Sequence, residues 1–363
     1  MERIGIAGLP ASGKTSLFNA LTGVGAEIGT YSSKDVNLGM ASVPDPRLEV
    51  LADMESSKKI VPTQIEFADV AGVAAGSTPA QGLGGAQLGK LREVDALVCV
   101  LRAFEAPEVP HPEGSVDPVR DMEMLETELC LADLEAAEKA TERYRKASKS
   151  GDAQQKTWAD QAEAIKAVLE TGVPVSRAGT LPVPPDLFLI TDKPVIYVVN
   201  IGEDQIDEAD KIEDQVRAAA VGMAGERSES VDAMAICAQV EAEARDLDAD
   251  ARSELLEAYG LGEGVTQRLI RAVYGSLDLI TFLTAGEPET RAWTTQLGSK
   301  APQAAGRIHS DMERGFIRME VVAYDDLVDA GSMKAAKEKG LVRVEGKDYV
   351  VKEGDVIHVR FNV

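Results

Sequence analysis

Gly8-Leu9-Pro10-Ala11-Ser12-Gly13-Lys14-Thr15 is a complete GxxxxGK[ST] phosphate-binding loop. It stands between the apolar run Arg3-Ile4-Gly5-Ile6-Ala7 and the helix-like run Ser16-Leu17-Phe18-Asn19-Ala20-Leu21, the strand-loop-helix context in which such a loop works. A glycine-bounded turn lets the backbone N–H groups of Ala11, Ser12, Gly13, Lys14, Thr15 and Ser16 converge on phosphate oxygens, and the following helix presents its positive end to the same anion. Lys14 supplies a point charge to the β- and γ-phosphates, and the Thr15 hydroxyl is placed to ligate a magnesium ion. The chemistry implied is binding of a nucleoside triphosphate with Mg2+. Downstream, the alternating run from Ile60 breaks at Asp69-Val70-Ala71-Gly72, which puts an acidic side chain at a strand end. Asp69 there suits the residue that holds the magnesium shell through water. The plainer alternative is an acid that opens a turn. The glycine-rich stretch from Gly72 to Gly89 reads as a mobile loop that orders around a γ-phosphate.

The elements that must position these residues alternate strand and helix. Buried strands are expected at Ala96 to Leu101 and Val195 to Asn200. Between them Met122, Leu125, Leu129, Ala132 and Ala136 mark the stripe of a long amphipathic helix, and Trp158, Ile165 and Leu169 mark a second, with a turn at Lys149 to Asp152. That pair reads as an inserted hairpin over 121–185, interrupting a nucleotide-binding domain formed by 1–120 and 186–277. From 278 to 363 the pattern changes to short strands at Leu279 to Leu283, Ile317 to Val322, Val342 to Val344, Tyr349 to Val351 and Val356 to Phe361, a separate β-rich domain.

Composition narrows the class. At 363 residues the chain suits two or three domains, and its 44% hydrophobic and 27% charged content is that of a globular protein. No run reaches the roughly 18 apolar residues of a membrane span, and the amino terminus enters the first strand without a signal peptide, so a cytoplasmic protein away from membranes is expected. Cys99, Cys130 and Cys237 are too widely spaced for a zinc site and fit reduced, buried thiols. A net charge of −23 argues against a surface that is basic all over and against DNA binding, while leaving room for a local basic patch. Arg291, Lys300, Arg307, His309, Arg314 and Arg318 form such a run, read as a docking face for RNA or the ribosome or, more plainly, as the surface of a supporting domain.

The order of motifs resembles the YchF family of Obg-like ATPases over essentially the full length. Beyond the phosphate loop the likeness rests on Asn37-Leu38-Gly39-Met40, Val43-Pro44-Asp45-Pro46, Asp69-Val70-Ala71-Gly72, Asn200-Ile201-Gly202-Glu203, Ile236-Cys237-Ala238, Phe282-Leu283-Thr284-Ala285-Gly286, Ala301-Pro302-Gln303-Ala304-Ala305-Gly306-Arg307 and the closing Phe361-Asn362-Val363. The resemblance implies an α/β P-loop NTPase domain of GTPase type, an inserted helical hairpin and a C-terminal TGS domain of β-grasp form. It implies ATP as the nucleotide, Cys237 and Ala238 beside the base together with Asn200, Ile201 and Glu203, slow hydrolysis, and action as a monomer on the ribosome, on its large subunit or on ribosome-associated RNA or protein.

The base-recognition segment has a physical reading of its own. Guanine-specific relatives use Asn-Lys-x-Asp, whose aspartate accepts two hydrogen bonds from the guanine edge. Here Ile201 stands at the lysine position and the longer Glu203 at the aspartate position. Loss of a charge-assisted bidentate bond costs on the order of 1.5 to 3 kcal/mol, enough to cancel a guanine preference. Val73 occupies the place where Ras-like enzymes carry a water-orienting glutamine, so the catalytic group is unknown and hydrolysis is expected to be slow without a partner. Three residues depart from the family pattern: Ala11 replaces an Asn associated with potassium, Ser32 stands at a cysteine linked to redox control, and Ser33 offers a hydroxyl to magnesium where the family has Thr. The rival functions are a GTP-using switch of the same fold, a metabolic phosphotransferase, for which no acceptor motif is present, and a passive ribosome or RNA adaptor with a structural nucleotide.

Overall fold

The structure is a computed structural model that describes residues 2–26, 36–70, 85–149, 151–224, 232–262 and 264–362. In chain order the first elements are β1 (Arg3–Gly8), α1 (Lys14–Thr22), β2 (Asn37–Ser42), α2 (Arg47–Glu55), β3 (Ile60–Val61), β4 (Gln64–Asp69), α3 (Gly85–Glu93) and β5 (Ala96–Arg102). Next come α4 (Pro118–Ser148), α5 (Ala153–Leu169), β6 (Val195–Asn200), α6 (Ala209–Ala224), β7 (Asp232–Ile236), α7 (Ala238–Arg245), α8 (Ala249–Ala258) and α9 (Val265–Ser276). The rest contributes β8 (Leu279–Thr284), β9 (Thr290–Gln296), α10 (Ala301–Ile308), α11 (Ser310–Arg314), β10 (Phe316–Ala323), α12 (Tyr324–Ala330), α13 (Met333–Glu338), β11 (Arg343–Glu345) and β12 (Asp355–Phe361). These form two compact units, residues 1–41 with 66–269 and residues 42–65 with 270–363.

The first unit is built on a six-stranded sheet of order β2-β4-β1-β5-β6-β7, in which β4, β1, β5, β6 and β7 are parallel. Every residue of β5 is buried, as a strand covered on both faces requires. The register aligns the carboxyl ends: Ile6 lies opposite Asp69, Gly8 opposite Val100, Arg102 opposite Asn200, and Asn200 opposite Ile236. Ligands of open parallel sheets bind beyond these ends.

Helix α4 has 31 residues and is about 46 Å long. It starts where Asp117 accepts from the Arg120 N–H and Pro118 occupies the first turn. Its first half buries Met122, Leu125 and Leu129 in the core of the sheet, whereas its second half buries Cys130, Ala137, Ala140 and Tyr144 with Ala159, Ala162, Ile165 and Leu169 of α5. This change of partner rotates the buried face, so Ala132 and Ala136 of the expected stripe are only half-buried. The hairpin is anchored at its base by Asp133, whose carboxylate accepts from Ile190 N (2.8 Å), Thr191 N (2.7 Å) and Thr191 Oγ1 (2.9 Å). Among the described residues no helix is long and apolar enough to cross a membrane.

The second unit carries a mixed sheet of order β11-β10-β12-β8-β9-β3. Ala301, Ala304 and Ala305 of α10 pack with Phe282, Phe316, Met319 and Ile357 of this sheet, while Leu48 and Leu51 of α2 share a second cluster with Leu283, Leu327 and Val356. Residues 42–65, assigned by sequence to the nucleotide-binding domain, cluster here because β3 pairs with β9 and α2 buries its leucines in this core. Strand β9 and helices α10 to α13 were not visible in the short-strand pattern. Tyr349 to Val351, expected as a strand, holds only a single bridge from Val350 to Lys300.

Candidate functional site

The phosphate loop leaves β1 at Gly8, where a Cβ would lie 2.4 Å from the Val100 carbonyl oxygen. It enters α1 at Gly13, which has φ +91° and where a Cβ would meet Asn200 Nδ2 at 2.0 Å. Only glycine fits either position. No side chain caps α1, so its first-turn N–H groups keep the orientation that suits an anion. Ala11 adopts φ +62°, left-handed for a residue with a Cβ. The Ser12 hydroxyl is buried without a hydrogen-bond partner, a polar atom suited to a ligand oxygen.

Lys14 is 7% exposed, and its Nζ donates to the Leu9 carbonyl at 2.8 Å. Burial outweighs the attraction of Asp69 and brings the ammonium pKa from its ordinary 10.5 down to about 8. Thr15 Oγ1 donates to Asp69 Oδ2 at 2.8 Å, so the hydroxyl and carboxylate expected around magnesium are neighbours. Both side-chain types are hard oxygen donors, and the pair fits an ion held directly by one and through water by the other.

A cavity of about 700 Å³ opens beside the loop, lined by Gly13, Ser16 and Asn19 and by Asn200, Ile201, Gly202, Glu203, Cys237 and Ala238. This is a volume typical of sites for small ligands. Asn200 is committed to bracing: its Nδ2 donates to Ser12 O (3.1 Å) and its Oδ1 accepts from Ala238 N (3.2 Å). Ile201 is 4% exposed and donates its N–H to Ile236 O at 3.0 Å. Glu203 opens a short 3₁₀ turn over Glu203–Glu208, and its Oε2 accepts from the Tyr259 hydroxyl at 3.1 Å. Burial pushes the Cys237 thiol up, and Cys99 and Cys130 up to about 12, so all three free cysteines stay protonated thiols at neutral pH.

The residues read from sequence as Gly13, Ser16, Asn200, Ile201, Glu203, Cys237 and Ala238 thus line one cavity, with Ala11, Ser12, Lys14, Thr15 and Asp69 grouped at the adjacent loop. Ser32, Ser33 and Val73 lie outside the described residues, as does most of the expected loop, since α3 already begins at Gly85. Phe104, Gln239 and Arg245 also line the cavity and had no motif to announce them. Arg245 donates to Ala20 O at 3.1 Å and so closes the end of α1. The basic run of the second unit is partly neutralised: Lys300 pairs with Asp348 at 2.8 Å, Arg291 with Glu289 at 3.5 Å, and Arg314 with Asp311.

Comparison with known proteins gives a consistent picture. A family model described as a 50S ribosome-binding GTPase matches residues 3–128, and one for the C-terminal region of YchF GTPases, described as a protein of unknown function, matches residues 279–362. The Bacillus subtilis protein named ribosome-binding ATPase YchF is 42% identical over 367 residues, covering 99% of each chain. Its namesake from Escherichia coli O157:H7 is 40% identical, again with 99% of each covered, and Obg-like ATPase 1 of Oryza sativa is 37% identical over 99% of this chain and 92% of its own. Among solved structures, that of the Schizosaccharomyces pombe YchF GTPase superposes with a TM-score of 0.83 at 31% identity, covering 99% of this chain and 97% of that one.

Proposed function

The chain belongs to the YchF family, and from that premise we propose that it is an ATP-operated switch whose slow hydrolysis is read by the ribosome. It is an ATPase built on the P-loop GTPase fold. The observation that carries the choice of nucleotide is the base end of the cavity, where Ile201 and Glu203 replace the guanine clamp and Glu203 already accepts from Tyr259.

The phosphate-loop N–H groups and Lys14 bind the triphosphate, Ser12 adds its hydroxyl, and Asn200 braces the loop against the start of α7. Ile201, Cys237 and Ala238 pack the base. Magnesium, when bound, supplies charge neutralisation at the β- and γ-phosphates. Thr15 suits direct ligation, Asp69 a water-mediated contact, and Ser33 a further hydroxyl. Basal turnover is slow because Val73 cannot hydrogen-bond an attacking water. The partner is the ribosome, as the relatives' names state for them, and the 50S-binding description of the matched family model favours its large subunit. The protein acts as a cytoplasmic monomer.

ATP turnover measured with and without 70S ribosomes tests this reading, alongside matched titrations of ATP and GTP with magnesium. Stimulation by ribosomes and weaker GTP binding are expected. Tenfold tighter GTP binding, or turnover indifferent to ribosomes, would overturn the respective half.

A further inference from the structure

Arg102 ends β5 and is 1% exposed, the largest fully buried side chain among the described residues. Its guanidinium is a full positive charge inside the protein. Buried charges are ordinarily matched by an opposite charge. Here every described partner is neutral: Nε donates to Phe104 O at 3.1 Å, Nη2 to Val109 O at 2.8 Å, and Nη1 reaches Ala11 O at 3.5 Å, the edge of bonding range. The guanidinium carbon also lies 4.6 Å from the centre of the Phe104 ring, and Phe104 lines the nucleotide cavity. The charge therefore sits directly behind the phosphate loop, in a setting of low polarity where its field is weakly screened.

We propose that Arg102 is a positioning residue for the polyphosphate. Its buried, carboxylate-free charge attracts the phosphates through the loop while its contact with Ala11 O holds the loop's left-handed residue in place. The inference rests on the reading of the cavity as a nucleotide site. An unmatched buried cation is unfavourable in the nucleotide-free chain and is offset when an anion arrives in front of the loop, so the residue favours the bound state over the free one.

The charge and the fork are separated by two variants of the full chain, Arg102→Gln and Arg102→Lys, titrated with ATP, ADP and adenosine. If charge acts, Arg102→Gln weakens ATP on the order of tenfold, weakens ADP less, and leaves adenosine unchanged, while Arg102→Lys stays within about threefold of the parent for all three. Melting midpoints of the nucleotide-free proteins supply a second readout, with Arg102→Gln expected to match or exceed the parent. Loss of affinity shared equally by adenosine and ATP, or unchanged ATP affinity in Arg102→Gln, would refute the role. Should Arg102→Gln not fold, Arg102→Lys decides: a tenfold loss of ATP affinity there refutes the charge in favour of fork geometry. A parent protein that binds no ATP would instead remove the nucleotide reading itself.

Discussion

Replacing Lys14 by Met is predicted to stabilise the nucleotide-free protein while abolishing triphosphate binding. The Lys14 ammonium is almost wholly buried, and its pKa of about 8 lies below its ordinary 10.5. The unfolded chain therefore binds more protons between pH 8 and pH 10.5, and stability climbs with pH across that window. Below pH 8 the whole penalty is present, and the gap of about 2.5 pH units corresponds to about 3 kcal/mol. Losing the bond to Leu9 O returns roughly 1 kcal/mol of that, which leaves a net gain of about 2 kcal/mol for Lys14→Met at pH 7. The gain reaches zero before pH 10.5, where the penalty has almost gone and only the lost bond to Leu9 O remains. Urea unfolding followed by circular dichroism at pH 7 and pH 10, on parent and variant without nucleotide, measures it. A variant less stable than the parent at pH 7, or a difference that does not change with pH, would refute the argument. The same linkage requires ATP to raise the Lys14 pKa on binding, so affinity holds below pH 8 and declines above it, with proton uptake visible by calorimetry in buffers of different ionisation heat.

ATP should bind at least several-fold tighter than GTP under matched magnesium, since Ile201 and Glu203 cannot supply the guanine clamp, and paired titrations check this. Ala11→Gly should raise stability by about 1 kcal/mol by relieving the left-handed backbone at φ +62°, read as a shift in the urea midpoint. Basal turnover should differ little between potassium and sodium, because the methyl of Ala11 cannot hold a monovalent ion, and a large potassium stimulation in steady-state assays would contradict that. Cosedimentation with ribosomes should weaken with salt, depend on whether a nonhydrolysable ATP analogue is bound, and fall in Arg307→Glu with Arg318→Glu. Equal retention of the apo and ATP-analogue states would remove the switch.

The phosphate loop was legible because its chemistry is written in eight consecutive residues, and Asp69 because a strand end is marked by a change of pattern. Arg102, Arg245 and Tyr259 were not, since each reaches the site through the parallel register or a helix packed much later in the chain, and no local spacing records that. Strand β9 is hidden in the sequence for a different reason. Its buried Thr290 and Thr295 have hydroxyl partners in Ser57 and Ser299, both at 2.8 Å, so polar residues that read as loop are satisfied in a core. The second helix of the hairpin lies where Trp158, Ile165 and Leu169 mark it, whereas the buried face of α4 departs from its stripe because the helix exchanges one partner for another along its length.

The brace formed by Asn200 has a consequence for how this sequence can drift over generations. Its amide fills the space a Cβ would occupy at Gly13 while gripping Ser12 O and Ala238 N. Aspartate there would lose the donor, a shorter side chain would release both partners, and any residue but glycine at 13 would evict the amide. Positions 13 and 200, far apart in the chain, therefore behave as a single heritable unit, and a substitution at either should show strongly non-additive effects with its counterpart. Lineages can rework the other residues that line the cavity one at a time, but the crosspiece beneath them changes only in a concerted step.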